Sequence, residues 1–141
     1  MKKIFLLTIC ALGLSLSVFS QQGDVVKLNK ADFITKVFNY EKYKDKWVYE
    51  GTKPCIIDFY ADWCAPCKKV APILAELAEK YKGQIIIYKI DTDKERELAQ
   101  AFGISSIPTL FFVPAEGTPQ AIRGAISKED FEKMIKQVLL K

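Results

Sequence analysis

The sequence predicts an α/β domain: one central β-sheet flanked by helices on both faces. Three observations carry this. Two near-continuous apolar runs of strand length, CIIDFYA (55–61) and QIIIYKID (84–91), have the pattern of strands buried on both sides. The segment between them repeats apolar residues at helical spacing: Val70, Ile73, Leu74, Leu77 and Ala78. The chain then closes with a hairpin pattern and a last amphipathic segment, so the order reads βαβαβαββα.

Each element has its own local signal. DVVKL (24–28) reads as a short strand, and Asn29 caps a helix over 30–39 with Phe33, Val37 and Phe38 on its apolar side. An aromatic, charged stretch follows and ends in turn signals at Gly51 and Pro54. The first buried strand leads into a helix with Pro66 in its first turn, where a missing N–H is harmless, and with Gly83 just past its end. Pro72 falls inside that helix and is expected to kink it. LAQAFG (98–103) is a short helix ending near Gly103. Residues 109–113 and 120–123 read as strands joined by a turn around Glu116 to Pro119. Ser127 caps the last helix, which carries Phe131, Met134, Ile135 and Val138.

The chain has 141 residues, 50% of them hydrophobic and 27% charged, enough for one globular core. Its net charge of +4 falls to +2 without Lys2 and Lys3, and acids and bases interleave, as in EKYKDK. No basic stripe marks a nucleic-acid footprint. Residues 1–20 read as a cleaved secretory signal peptide: two lysines, an apolar run from Ile4 to Phe19, and Val18 and Ser20 at the −3 and −1 places. An uncleaved membrane anchor is the alternative; the run is short for a span of roughly 20 apolar residues. Cys10 is discarded with the signal, and residues 21–141 form the domain. The mature chain is expected to work in the periplasm, where disulfides persist.

Three cysteines then remain, Cys55, Cys64 and Cys67, with no histidine in the chain. A structural zinc site normally takes four Cys or His ligands, so none is expected. The CxxC pair Cys64–Cys67 is left as a redox couple or a structural disulfide. At a strand-to-helix junction, Cys64 faces the free N–H groups of the first helical turn, which favour the thiolate nucleophile. Cys67, one turn on and expected to be the less exposed, resolves the mixed disulfide, and Pro66 stiffens the ring. Asp58 lies among apolar neighbours, where desolvation raises a carboxyl pKa toward neutrality and suits it to carry the Cys67 proton. A purely structural ion pair is the competing account, and Lys89 in the facing strand is the expected partner. Pro108 follows a loop and precedes a strand, a place for a cis bond that frees the Ile107 backbone to meet an extended substrate. Trp63 reads as contact surface, and Cys55 as an inert small hydrophobe.

DFYADWCAPCK, Pro72, the strand end KID, GISSIPTLFF and RGAISKEDF together resemble the thioredoxin family over residues 24–141. The exported form with an aromatic insert resembles the periplasmic thioredoxins of Bacteroides-like bacteria. The resemblance implies a thioredoxin fold and dithiol–disulfide exchange. It implies catalytic roles for Cys64, Cys67, Asp58 and Lys89, a Cys64–Cys67 disulfide, a cis bond at Pro108, and a substrate groove framed by Trp63, Ala65, Pro66, Ile107, Pro108 and Gly124. Three features depart from the family pattern. Ala65-Pro66 replaces Gly-Pro, Tyr60 stands where most members carry tryptophan, and residues 39–52 make a longer link whose Tyr40, Tyr43, Trp47 and Tyr49 are expected to pad the sheet edge.

The expected activity is reduction of disulfides in exported proteins. Without a histidine between the cysteines, a disulfide-donating oxidase or isomerase is the weaker alternative. A non-catalytic binding module with a structural disulfide is the alternative from another class. With no G-x-G-x-x-G, no nucleotide cofactor is expected. Electrons must then come from a membrane or periplasmic thiol donor, and the chain is expected to be monomeric.

Overall fold

A computed structural model describes residues 24–141. The signal-peptide reading, Cys10 and the start at Gln21 lie outside the described residues. No helix among those described is long and apolar enough to cross a membrane.

The elements are β1 (Val25–Lys27), α1 (Lys30–Lys36), β2 (Cys55–Tyr60), α2 (Ala65–Lys80), β3 (Ile86–Asp91), α3 (Arg96–Ala101), β4 (Thr109–Val113), β5 (Gln120–Arg123) and α4 (Lys128–Met134). They form one five-stranded sheet in the order β1-β3-β2-β4-β5. β1, β3 and β2 run parallel, while β4 is antiparallel to both β2 and β5. The mixed sheet therefore begins at β4 itself. The reason is length: α3 has six residues and spans about 9 Å, too short to return along a strand. β4 accordingly starts at the end of the sheet where β3 stops.

Strand alternation sorts the core into two layers. Ile56, Ile87, Leu110 and Phe112 point to one face and pack on α2 and the last helix through Val70, Leu74, Leu77, Phe131 and Ile135. Cys55, Ile57, Phe59, Ile90 and Val113 point to the other and pack with Leu28, Phe33 and Leu98. Asp58, between Ile57 and Phe59, shares the α2 face with Ile56, which fixes which layer the chemistry occupies.

The expected caps form. The Asn29 Oδ1 accepts from the Asp32 N–H at 2.8 Å, and the Ser127 hydroxyl accepts from the Asp130 N–H at 3.1 Å. α1 stops three residues earlier than its apolar pattern suggests. The Val37 and Phe38 N–H groups both turn to the Phe33 carbonyl, so Val37 and Phe38 reach the core by leaving the helix. Past Met134 the last helix widens into a π-helical stretch, Ile135–Leu139, which brings Ile135, Val138 and Leu139 into the core together. The aromatic link does not pad the sheet edge. Tyr40, Trp47 and Tyr49 pack on the α1/α3 face, where Phe38 and Trp47 stand 4.4 Å apart. The strands at the edges of the sheet are β1 and β5.

Candidate active site

The site is assembled where β2 ends and α2 begins. Cys64 is the N-cap of α2, with extended backbone, and its Sγ accepts the Cys67 N–H at 3.2 Å. Sulfur thus occupies the place a serine or aspartate oxygen takes in an ordinary cap, so negative charge on it is stabilised by a backbone donor and by the helix dipole. Cys64 and Cys67 are joined by a disulfide, with Cα atoms 5.3 Å apart. Pro66 falls in the first turn of α2 as expected, and Pro72 lies on its exposed face.

Exposure does not rank the two cysteines as the sequence suggested: Cys64 is 3% exposed and Cys67 4%. What separates them is the surface each meets. Cys64 Sγ lies 3.7 Å from the Ile107 carbonyl oxygen and beside the loop that bears Trp63. Cys67 lines a cleft of about 680 Å³, open to solvent on one side, between α2 and the β1/β3 side of the sheet. Packing has ordered them because the i to i+3 step carries Cys67 onto the core-facing side of α2, one turn before Val70.

Asp58 and Lys89 line the same cleft. They are register partners across β2 and β3. Asp58 is 3% exposed, its Oδ1 has no hydrogen-bond partner among the described residues, and burial pushes its pKa up to about 7 against the opposing pull of the Lys89 charge. A group that titrates near neutral pH beside Cys67 can accept and return a proton there.

The Ile107–Pro108 peptide bond is cis. The Pro108 carbonyl accepts the Gly124 N–H at 2.8 Å, and Gly124 adopts φ 90°, a conformation that favours glycine. Among the described residues the Ile107 N–H donates no hydrogen bond, so this backbone stays open for a partner strand. Trp63 is 69% exposed and is held by an Nε1–H bond to Asp93 Oδ2 at 2.8 Å. Ala65 and Pro66 are exposed beside it, and Ile107 packs against Cys64 and Cys67.

Asp93 is a site residue that the sequence reading missed. It lies thirty positions from Trp63, in the turn after β3, and only the parallel pairing of β2 with β3 brings the two together. The Tyr60 ring carries the Lys89 ammonium 5.5 Å from its centroid, a contact that no local pattern in the sequence signals. Cys55 is fully buried on the far face of the sheet, and burial pushes its thiol up to about 12. That is the character of an inert packing residue. Among the described residues no cluster of Cys, Asp and Glu could hold a metal ion.

The family model described as Thioredoxin matches residues 25–137. A thioredoxin of Borreliella burgdorferi is 44% identical over 111 residues, covering 79% of this chain and 94% of the relative. Thioredoxin H4 of Arabidopsis thaliana is 33% identical over 116 residues, covering 82% of this chain and 91% of the relative. The crystal structure of chloroplastic thioredoxin z superposes with a TM-score of 0.69 at 22% identity, over 81% of this chain and 93% of that one, which speaks for the fold alone.

Proposed function

Because the chain belongs to the thioredoxin family, we propose that this thiol–disulfide oxidoreductase reduces disulfides of exported proteins through its Cys64–Cys67 couple. One observation carries the reading. The disulfide caps α2 with its first sulfur toward the substrate-facing loops and its second in a cleft with a buried carboxyl that titrates near neutral pH.

The cycle starts from the dithiol. The Cys64 thiolate attacks one sulfur of a substrate disulfide; that S–S bond breaks, a Cys64–substrate disulfide forms, and the released substrate thiolate takes a proton from solvent. Cys67 then passes its proton to Asp58, and its thiolate attacks Cys64 Sγ. The mixed disulfide breaks, the second substrate thiolate leaves, and the Cys64–Cys67 bond forms. Two electrons have moved from protein to substrate, and a thiol donor must return them. An extended substrate segment lies along Ile107 and the cis Pro108, flanked by Trp63, Ala65, Pro66 and Gly124.

Export is part of the proposal. It rests on the basic and apolar pattern of residues 1–20, and it places the protein with the periplasmic members of the family, fed by a membrane or periplasmic thiol donor and acting as a monomer. Sequencing the N-terminus of the processed protein tests it: a start at Gln21 is expected, and a start at Met1 in the soluble fraction overturns it.

The direction of electron flow is tested by equilibrating the couple against glutathione or dithiothreitol. A potential near the reducing end of the family range, about −270 mV, is expected, with insulin reduction when dithiol is supplied. A potential near −120 mV, roughly that of a strong disulfide donor, replaces the reductase by an oxidase. No insulin turnover above the buffer rate leaves only a binding module.

A further inference from the structure

None of the ion pairs among the described residues involves Lys89. What its ammonium meets is an aromatic face. Lys89 Nζ lies 5.5 Å from the centroid of the Tyr60 ring, within the roughly 6 Å over which a ring quadrupole attracts a cation. Tyr60 follows Asp58 by two positions on β2, so both side chains emerge on the α2 face. The diagonal step from Lys89 to Tyr60 spans two register pairs, Asp58 with Lys89 and Tyr60 with Asp91.

Tyr60 and Lys89 also border a second, smaller cleft of about 180 Å³, shared with Lys27, Asp91, Lys94 and Glu95. Together they form the wall between the two clefts. The ammonium therefore has two places to go: toward Asp58 on one side, or toward the Asp91 and Glu95 carboxylates on the other.

We propose that Tyr60 is a positioning residue, whose ring face holds the Lys89 ammonium on the Asp58 side of this wall and so lets Lys89 lower the proton affinity of Asp58. The other charged groups lining the cleft with Asp58 are Asp24 just before β1, Asp62 in the loop before α2, and Lys68 and Glu79 on α2. Of these and Lys89, the Lys89 charge is the one that opposes the effect of burial on Asp58. It acts through a flexible four-carbon stem, so its effect depends on where the stem is held. A leucine at position 60 fills space without a quadrupole, and a phenylalanine keeps the ring and loses only the hydroxyl.

The consequence for turnover rests on the reading of Asp58 as proton carrier, but the positional claim is tested separately. The probe is the Asp58 carboxyl ¹³C resonance, titrated in the oxidised full chain. Tyr60→Phe is expected to leave the midpoint in place. Tyr60→Leu is expected to raise it, strengthening proton binding by about 3- to 10-fold. Lys89→Met raises it too, and Tyr60→Leu in the Lys89→Met background adds nothing further, since the ring then has no cation to hold.

A Tyr60→Leu shift that persists in full without Lys89 overturns the proposal, as does an unmoved midpoint. If the leucine variant does not fold, Tyr60→Trp decides. The stronger indole face should lower the midpoint relative to Tyr60→Phe when Lys89 is present and not in Lys89→Met. Equal midpoints in the presence of Lys89 overturn the proposal. An Asp58→Asn protein that turns over at the wild-type rate removes the proton-carrier reading and leaves the titration result standing.

Discussion

Asp58 is 3% exposed, with one carboxyl oxygen unpartnered among the described residues, and that arrangement has a thermodynamic sign. Its pKa is raised from the ordinary 3.8 to about 7, with burial as the largest cause and the Lys89 charge opposing it. The folded chain therefore binds the proton more tightly than the unfolded one. Below the unfolded value both states are protonated and burial of the carboxyl carries no ionic penalty. As pH rises from about 4 to about 7 the unfolded chain releases its proton first, so folding stability falls; above about 7 the loss is complete. The full loss is on the order of 4 kcal/mol. Asp58→Asn, which cannot ionise, should match the wild type in urea unfolding near pH 3.5 and exceed it by an amount approaching that figure at pH 8. A difference independent of pH would mean that Asp58 is not a desolvated carboxyl. In the same variant, release of the mixed disulfide should slow by 10²-fold or more, the usual contribution of a placed general base. The surplus stability and the lost rate have one origin, a site that keeps a carboxyl where water would hold it better.

Among the elements, the link from α1 to β2 is where the sequence was least legible. Its aromatics were visible, but their destination was not, because no periodicity marks a segment that is neither helix nor strand. It enters β2 at the N-terminal end, opposite the end at which Cys64 caps α2, and it seals the α1/α3 layer. Trp47 packs on Phe38 with its Nε1–H buried and unpartnered among the described residues. Trp47→Ala should cost about 3 kcal/mol, the scale of a large aromatic truncation. Trp47→Phe should cost clearly less, because it also removes the unsatisfied donor. Both should leave insulin turnover unchanged in folded protein, measured beside urea unfolding; a turnover loss greater than the unfolded fraction would tie this layer to the site. The elements with local chemistry were plain in the chain: Asn29 and Ser127 at helix starts, the buried runs of β2 and β3, and the bounds of β4 and β5. The direction of β4, the early end of α1 and the π-helical turn were not, since each is decided by tertiary contact: a short α3, core packing of Val37 and Phe38, and burial of Ile135 with Val138. The candidate site divides the same way. The CxxC pair, Asp58 and Pro108 announce themselves by residue type, while Asp93 and the Tyr60–Lys89 contact exist only through the register of β2 on β3.

For the whole molecule, the order of the sheet sets the order of opening. β2 is paired on both sides and buried along nearly all its length, whereas β1 contributes three residues at one edge with Val26 40% exposed. Backbone amides of Ile57 and Phe59 should exchange with solvent only through global unfolding, and those of β1 and Leu28, whose N–H bonds the Lys89 carbonyl at 2.9 Å, through a cheaper local opening. That opening is coupled to the site, because Asp24 and Val25 form one wall of the cleft over Asp58. When β1 lifts away, water reaches the carboxyl and its pKa falls back toward the ordinary 3.8. The open form then holds the proton less tightly than the closed one, so opening becomes easier as pH rises and levels off above about 7. Hydrogen exchange of the oxidised protein, corrected for the intrinsic rate at each pH, should show the opening free energy of β1 falling by up to about 2 kcal/mol between pH 5.5 and 8. The β1 amides of Asp58→Asn should show no such trend. A flat β1 profile in the wild type would mean that the strand does not close the cleft, and that water reaches Asp58 along the α2 side, past Lys68 and Glu79.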